Sequence, residues 1–242
     1  MKTVALVFGR KNSKGLKNKN IRKINSKPMF SHVIDEVKKV KSIKNIYVST
    51  DSSFILKNAK KKGCKLIIRP KSLSTDESLL SDAIYHAVKV CTQKEAKIDN
   101  FLILLCNSIC FDYKLINKAI NLIKKNDKID TVTTVSKFNM FSPVRAMKIK
   151  NDKILNFISN NNLKKFTNLS GDRDKSTDSY FCTHSFALSK KRVFYRPEKN
   201  PSPFKWMGKQ KLFIEQDSCI GDVDFEWQIP VVKWWMHRFK RK

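Results

Sequence analysis

The sequence predicts an α/β fold: a mainly parallel sheet with helices on both faces. Three observations carry that expectation. Short unbroken apolar runs, such as Val4-Ala5-Leu6-Val7-Phe8 and residues 101–106, have the length and composition of strands buried on both faces. Stretches between them repeat apolar residues at helical spacing, as Val33, Val37 and Val40 do. The two patterns alternate as in βα units, and 242 residues suffice for one such domain with a full core.

In order along the chain, a first strand is expected over residues 3–8 and a helix over 29–40, followed by a second strand over 45–49. Ser53 is placed to cap a helix over 54–62, and Gly63 stands where a left-handed residue stops it before a strand over 64–68. A helix over 81–90 turns Ala83, Ala87 and Val90 to one side and leads to the apolar strand 101–106. Asp112 caps a further helix with the core face Leu115, Ala119, Leu122 and Ile123, and β-branched residues 131–135 return as a strand.

Beyond Val135 the pattern changes. Residues 146–149 and 153–157 read as a hairpin around Asn151-Asp152, and 159–179 are polar and irregular. The chain is therefore read as one domain over 1–242, with an excursion at 140–179 suited to dimer contact. A strand over 180–188, a proline-broken loop over 197–208, a short strand over 211–215 and a helix over 227–239 close the chain, with Pro230 tolerated in the first turn of that helix.

The chain carries 50 Lys and Arg against 21 Asp and Glu, a formal net charge of +29. Its lysines are scattered over every predicted surface and accompany abundant Asn and Ile, a pattern of AT-rich coding more than of a nucleic-acid footprint. No specific nucleic-acid partner is expected, although acidic substrates would be drawn in. Cys64, Cys91, Cys106, Cys110, Cys182 and Cys219 form no CxxC pair and lie mostly in apolar runs, which points to reduced thiols and a cytoplasmic location. No apolar stretch approaches the length of a membrane span, and the N-terminus enters a strand with no signal-peptide pattern.

Directly behind the first apolar run lies the loop Gly9 to Asn20, which holds Gly9, Gly15 and the cations Arg10, Lys11, Lys14, Lys17 and Lys19. A polar loop at the end of a buried strand presents backbone N–H groups and positive charge to an anion such as a nucleoside triphosphate. It has neither the GxxxxGK[ST] order nor the GxGxxG spacing of the common phosphate motifs. Its order, Gly9-Arg10-Lys11-Asn12-Ser13-Lys14-Gly15-Leu16 and then Lys19-Asn20-Ile21-Arg22, closely resembles the ARxxSKGxxxKNxR signature of the CMP-sialic acid synthetases, the acylneuraminate cytidylyltransferases. Ser49-Thr50-Asp51 resembles that family's STD segment, Arg69 to Asp76 its RPxxLxxD loop, and Asp222-Val223-Asp224 its metal-binding DxD.

The resemblance implies a Rossmann-like nucleotidyltransferase domain, a homodimer, and transfer of CMP from CTP to an acidic 2-keto sugar, with release of pyrophosphate, for cell-surface glycans. It implies that Arg10, Lys14 and Lys19 act on the triphosphate as catalytic cations. Gly9, Ser13, Gly15, Asn20 and Arg69 would bind CTP, and Asp222 and Asp224 would hold Mg2+. Two carboxylates two residues apart in an extended segment project from one face, as a shared hard cation requires. Asp51 and Asp76 read as local caps, and His86 as a packed helix residue. Trp227, Trp234 and Trp235, at helical spacing, read as core or dimer surface.

The acceptor side departs from the family. Where it has LLQPTSPLR this chain has Leu104-Leu105-Cys106-Asn107-Ser108-Ile109-Cys110-Phe111-Asp112, so Cys106 replaces the glutamine and Asp112 the arginine. Cys182-Thr183-His184-Ser185 stands near the place of the family's sugar-binding RxNG. Nucleotide-side positions persist while acceptor-side positions diverge. This fits an unusual nonulosonic acid acceptor, a CMP-Kdo-type synthetase, or a weakened paralogue that binds a nucleotide or polyanion.

Overall fold

The computed structural model describes residues 1–12, 15–165, 170, 172, 175, 177–217 and 221–239. Strand β1 (Thr3–Phe8) is followed by a two-stranded ribbon, β2 (Lys23–Ile24) and β3 (Lys27–Pro28), and by helix α1 (Met29–Lys38). Next come β4 (Asn45–Thr50), α2 (Ser53–Lys61), β5 (Lys65–Ile68), α3 (Leu80–Lys94), β6 (Asn100–Leu105), α4 (Tyr113–Lys125) and β7 (Thr131–Lys137). The hairpin β8 (Met147–Lys150) and β9 (Lys153–Asn156) and the short α5 (Asn160–Leu163) precede β10 (Tyr180–Lys190), β11 (Lys211–Glu215) and α6 (Gln228–Phe239).

Among the described residues, seven strands form one sheet in the order β11-β7-β10-β6-β1-β4-β5. Parallel pairs join β1 to β4 and β6, β4 to β5, and β11 to β7. Because β1 has no polar residue from Val4 to Phe8, both its faces are buried. Ala5 and Val7 share a core with α1, α2, α4 and α6 through Val33, Ile55, Ala119 and Val232. Val4, Leu6 and Phe8 face the opposite way, onto Ala83, Ile84 and Ala87 of α3 and onto Trp206. The chain steps from β1 outward to β4 and β5, then returns to place β6 on the other side of β1. That reversal opens a crevice beyond the carboxyl ends of β1 and β6, the usual ligand position in open α/β sheets.

Local chemistry moves several expected boundaries. Ser52 caps α2, its Oγ accepting from the Ile55 amide at 3.4 Å, and Ser53 is the first helical residue. Helix α3 runs one turn past the expected end because Cys91 prolongs its buried face. Strand β10 is antiparallel to β6 and β7, since no long helix among the described residues carries the chain across the sheet after β7. The excursion returns the chain at the end where β7 stopped, and Tyr180 pairs with Lys137. The hairpin β8–β9 turns on Asn151 and Asp152, both at positive φ (49° and 58°).

At the opposite end of the sheet from the crevice, Glu95 follows the last turn of α3 and is 9% exposed. Its carboxylate accepts from Asn45 Nδ2 (2.7 Å), Tyr47 Oη (2.7 Å), Lys65 Nζ (2.8 Å) and Lys2 Nζ (3.0 Å). One buried anion thus ties α3 to the strands β4 and β5 and to the residue before β1. Burial alone would raise the Glu95 carboxyl, but these hydrogen bonds bring it down to about 2 from an ordinary 4.5. A depressed carboxylate stabilises the fold above its unfolded value and loses that contribution as pH falls from about 4.5 towards 2. Glu95→Gln is expected to lower the urea-unfolding free energy by about 3 kcal/mol at neutral pH, with the gap to wild type closing below pH 4.

Candidate active site

The crevice is built on the end of β1. Cys106 N donates to Phe8 O (2.8 Å) and Gly9 N to Ser49 O (3.2 Å), so the loop leaves the sheet held between β4 and β6. Lys11 N then donates to Asp51 Oδ1 (2.7 Å), which gives Asp51 its local role. A Cβ on Gly9 would lie 2.6 Å from Cys106 Sγ and 3.0 Å from Asn20 Nδ2. Glycine is needed there because two side chains already fill the space. Asn20, 4% exposed in a short 3-10 turn (Lys19–Ile21), donates through Nδ2 to Arg10 O (2.8 Å). Its Oδ1 is buried with no hydrogen-bond partner among the described residues.

Around this floor stand the cations. Arg10 reaches Thr75 O (2.8 Å) and Asp76 Oδ1 (2.9 Å), so Asp76 holds the guanidinium in place. Arg69 is buried, donates to Ser49 O (2.8 Å) and lies with its guanidinium carbon 6.0 Å from the Phe8 ring centroid. Burial lowers its proton affinity, and it has no ion pair among the described residues. Gly9, Arg10, Lys19, Asn20, Arg69 and Asn107 line a cleft of about 240 Å³. Ser13 and Lys14 lie outside the described residues, as do Cys219 and residues 240–242.

A second cavity of about 290 Å³ adjoins the first and shares Leu79, Leu80 and Leu105 with it. His184, Phe204, Trp206 and Asp222 also line it. The segment carrying Asp222 and Asp224 is fixed between the two cavities by residues at the end of β6. Val223 N donates to Asn107 O (3.1 Å), and Asn107 Nδ2 donates to Val223 O (3.2 Å) and Asp224 Oδ1 (3.3 Å). Lys19 Nζ reaches the same Asp224 oxygen at 2.5 Å, and the amides of Asp224 and Phe225 donate to Gln228 Oε1 (2.6 and 2.8 Å). Gly15 closes the arrangement, since a Cβ there would stand 2.6 Å from Asp224 O.

Ser108 Oγ donates to Asp222 Oδ1. Burial pushes the Asp222 carboxyl up to about 6; the hydrogen bond from Ser108 opposes this, the nearby Asp224 charge adds to it, and Lys19 counters it. No group of three or more His, Cys, Asp or Glu side chains among the described residues is placed to hold a metal. Any cation at Asp222 and Asp224 would therefore draw its other ligands from substrate oxygens and water, a donor set that suits Mg2+ more than a preformed cage.

Other sequence candidates fall elsewhere. Cys106 is fully buried beneath Gly9, with burial pushing its thiol up to about 12, and lines neither cavity. Asp112 caps α4 by accepting from Lys114 N (2.7 Å). His86 sits in α3, its Nδ1 buried without a partner among the described residues and its proton affinity lowered by burial and by Arg69. Trp235 is buried against the core, whereas Trp227 and Trp234 are exposed. Asn107, Ser108 and Gln228 were not foreseen. Two polar residues directly after the most apolar strand were the available signal, because that position faces the crevice.

A family model described as cytidylyltransferase matches residues 4–192. A Helicobacter pylori protein named pseudaminic acid cytidylyltransferase and UDP-2,4-diacetamido-2,4,6-trideoxy-beta-L-altropyranose hydrolase is 29% identical over 166 residues, 68% of this chain. The match spans 31% of that relative's length. Post-translational flagellin modification protein B of Campylobacter coli is 27% identical over 237 residues, covering 94% of this chain and 92% of that protein. The solved structure of a CMP:2-keto-3-deoxy-manno-octonic acid synthetase complexed with CTP superposes with a TM-score of 0.69 at 14% identity, covering 98% of this chain and 99% of that one. That likeness establishes the fold.

The close packing under the loop is testable by itself. Gly9→Ala is expected to cost about 1–3 kcal/mol in urea unfolding through overpacking. Adding Cys106→Ala, which removes the nearer contact, should recover part of that loss.

Proposed function

The chain belongs to the cytidylyltransferase family, and on that premise we propose that it transfers CMP from CTP to an acidic 2-keto sugar of the nonulosonic type. The observation that carries this reading is the placement of Asp222 and Asp224, with Lys19, between a cationic cleft and a second cavity. The first is suited to the nucleotide and the second to the acceptor. The naming of the H. pylori relative for a nonulosonic acid supports the acceptor class.

In the reaction the acceptor hydroxyl oxygen bonds the α-phosphorus of CTP, the bond to the bridging oxygen breaks, pyrophosphate leaves with that electron pair, and the hydroxyl proton passes to water. Arg10 and Lys19 line the cleft where the triphosphate would lie, and preorganised cations there stabilise the charge that grows on the leaving group. Phosphate oxygens compete with Asp76 for Arg10 and with Asp224 for Lys19. Asn20 Oδ1, which has no partner among the described residues, accepts from a donor on the nucleoside, and Arg69 closes the same wall. Ser13 and Lys14 complete the loop in this proposal. Asp222 and Asp224 would hold Mg2+, which when bound neutralises triphosphate charge.

The exposed hairpin is the surface for a homodimer. Ile149 and Ile154, 79% and 72% exposed, face each other across its strands, and Phe157 beside them is also exposed. A cytoplasmic setting is supported by Cys64, Cys91, Cys106 and Cys182, which form no disulfide among the described residues. No helix among the described residues is long and apolar enough to cross a membrane. The product would serve cell-surface glycan synthesis.

Purified protein is expected to release pyrophosphate from CTP in the presence of Mg2+ and a nonulosonic acid. Arg10→Ala and Asp224→Ala should each lower kcat by roughly 10²–10³ while leaving the unfolding midpoint within a few degrees. Full activity in both variants would refute the assigned site. Wild type should sediment as a dimer, and the pair Ile149→Glu with Ile154→Glu as a monomer with unchanged far-ultraviolet circular dichroism.

A further inference from the structure

The outer side of α6 lacks the polar character of an ordinary surface helix. Ile229, Val232, Trp235 and Met236 face the core. On the solvent side Trp234 is 56% exposed, and Trp227, about two helical turns earlier at the turn into α6, is 65% exposed. Phe225 is exposed too and stacks on Trp227, with ring centroids 6.4 Å apart and planes 9° apart. Large rings held together in water mark a contact surface.

The charge around them is of one sign. From Phe225 to Phe239 the sequence has one acid, Glu226, and it pairs with Arg22. Lys233 and Arg238 are exposed and form no ion pair among the described residues. The Arg238 guanidinium carbon lies 5.8 Å from the Trp234 ring centroid and 5.7 Å from that of Phe239. His237 is exposed beside it, and the sequence continues with Lys240, Arg241 and Lys242. A partner at this face meets indoles and cations together.

That pairing suits the boundary of a bilayer, where an indole enters between headgroup and acyl chain while a neighbouring cation meets lipid phosphate. A single nucleic-acid strand would answer the same charge, but it needs ring faces open for stacking. Phe225 and Trp227 each cover a face of the other, and Arg238 lies over Trp234. The outside of one helix is also convex. A fluid headgroup layer accommodates that shape, whereas a rigid protein partner must be hollowed to fit it.

We infer that this face is a peripheral membrane contact, in which Phe225, Trp227 and Trp234 enter the headgroup region of an anionic phospholipid bilayer and Lys233 and Arg238 meet its phosphates. Gln228 Oε1 accepts from the amides of both Asp224 and Phe225, so the contact is joined directly to the crevice. Docking holds the crevice beside the bilayer.

The test is co-sedimentation of the intact chain with vesicles of phosphatidylcholine, alone or with about 30% phosphatidylglycerol. Binding to the anionic vesicles is expected to be at least ten-fold tighter, since each cation at such a surface contributes about five-fold. It should fall about ten-fold when salt rises from about 0.1 M to about 0.5 M. Trp227→Ser with Trp234→Ser should weaken it about ten-fold and remove the blue shift of tryptophan emission on adding vesicles, with unchanged far-ultraviolet circular dichroism. Lys233→Glu with Arg238→Glu should abolish the preference for anionic vesicles. Equal binding to both vesicle types, or undiminished binding by the tryptophan variant, would overturn the inference. A tryptophan variant that changes sedimentation without vesicles would overturn it and assign the face to a second copy of this chain. One that loses binding to single-stranded DNA while keeping its binding to vesicles would overturn it in favour of nucleic acid.

Discussion

Asp224 is gripped from several sides. Lys19 and Asn107 share its Oδ1, Gln228 takes its amide, and the backbone of Gly15 packs against its carbonyl. Three parts of the chain meet at this one residue: the loop after β1, the end of β6, and the turn into α6. A carboxylate so placed offsets the loop's positive charge before any anion arrives, and it fixes the distance between loop and acidic segment. Lys19 and Asn107, which hold Asp224, line the first cavity, and Asp222, two residues before it, lines the second.

The rest of the sheet keeps this arrangement in register. Glu95 gathers Lys2, Asn45, Tyr47 and Lys65 at the far end of the strands, so the amino ends of β4 and β5 and the approach to β1 are bound to α3. With the sheet fixed at one end and β1 and β6 buried on both faces, the carboxyl ends of those two strands open the crevice at the reversal of strand order. An irregular stretch of β10, the bulge carrying His184, lines the second cavity. At Cys106 to Asp112 and Cys182 to Ser185 the chain departs from the synthetases it resembles, while the loop after β1 keeps their pattern.

What the residues disclosed beforehand was local. β1 and the helix capped by Asp112 each depend on neighbours a few positions apart, and both were legible. The direction of β10 was not, because it is set by the connection from β7 and not by its own residues. Asn107 and Ser108 escaped for the same reason: their partners Val223 and Asp222 lie 116 and 114 residues downstream. Cys106 was read as a substituted pocket residue, whereas it fills the space a Cβ on Gly9 would need, and Gly15 is glycine because Asp224 O crowds it. Packing across the fold assigns those roles, and spacing along the chain cannot.

The central claim is that the cleft at Arg10, Lys19, Asn20 and Arg69 binds CTP with a metal ion. Thermal unfolding with each of the four nucleoside triphosphates, with and without Mg2+, tests it most directly. CTP with Mg2+ at about a hundred times its dissociation constant should add about 2.7 kcal/mol and raise the midpoint by roughly 5–10 °C, with smaller shifts for ATP, GTP and UTP. Equal shifts with all four, or none with CTP and Mg2+, would contradict it.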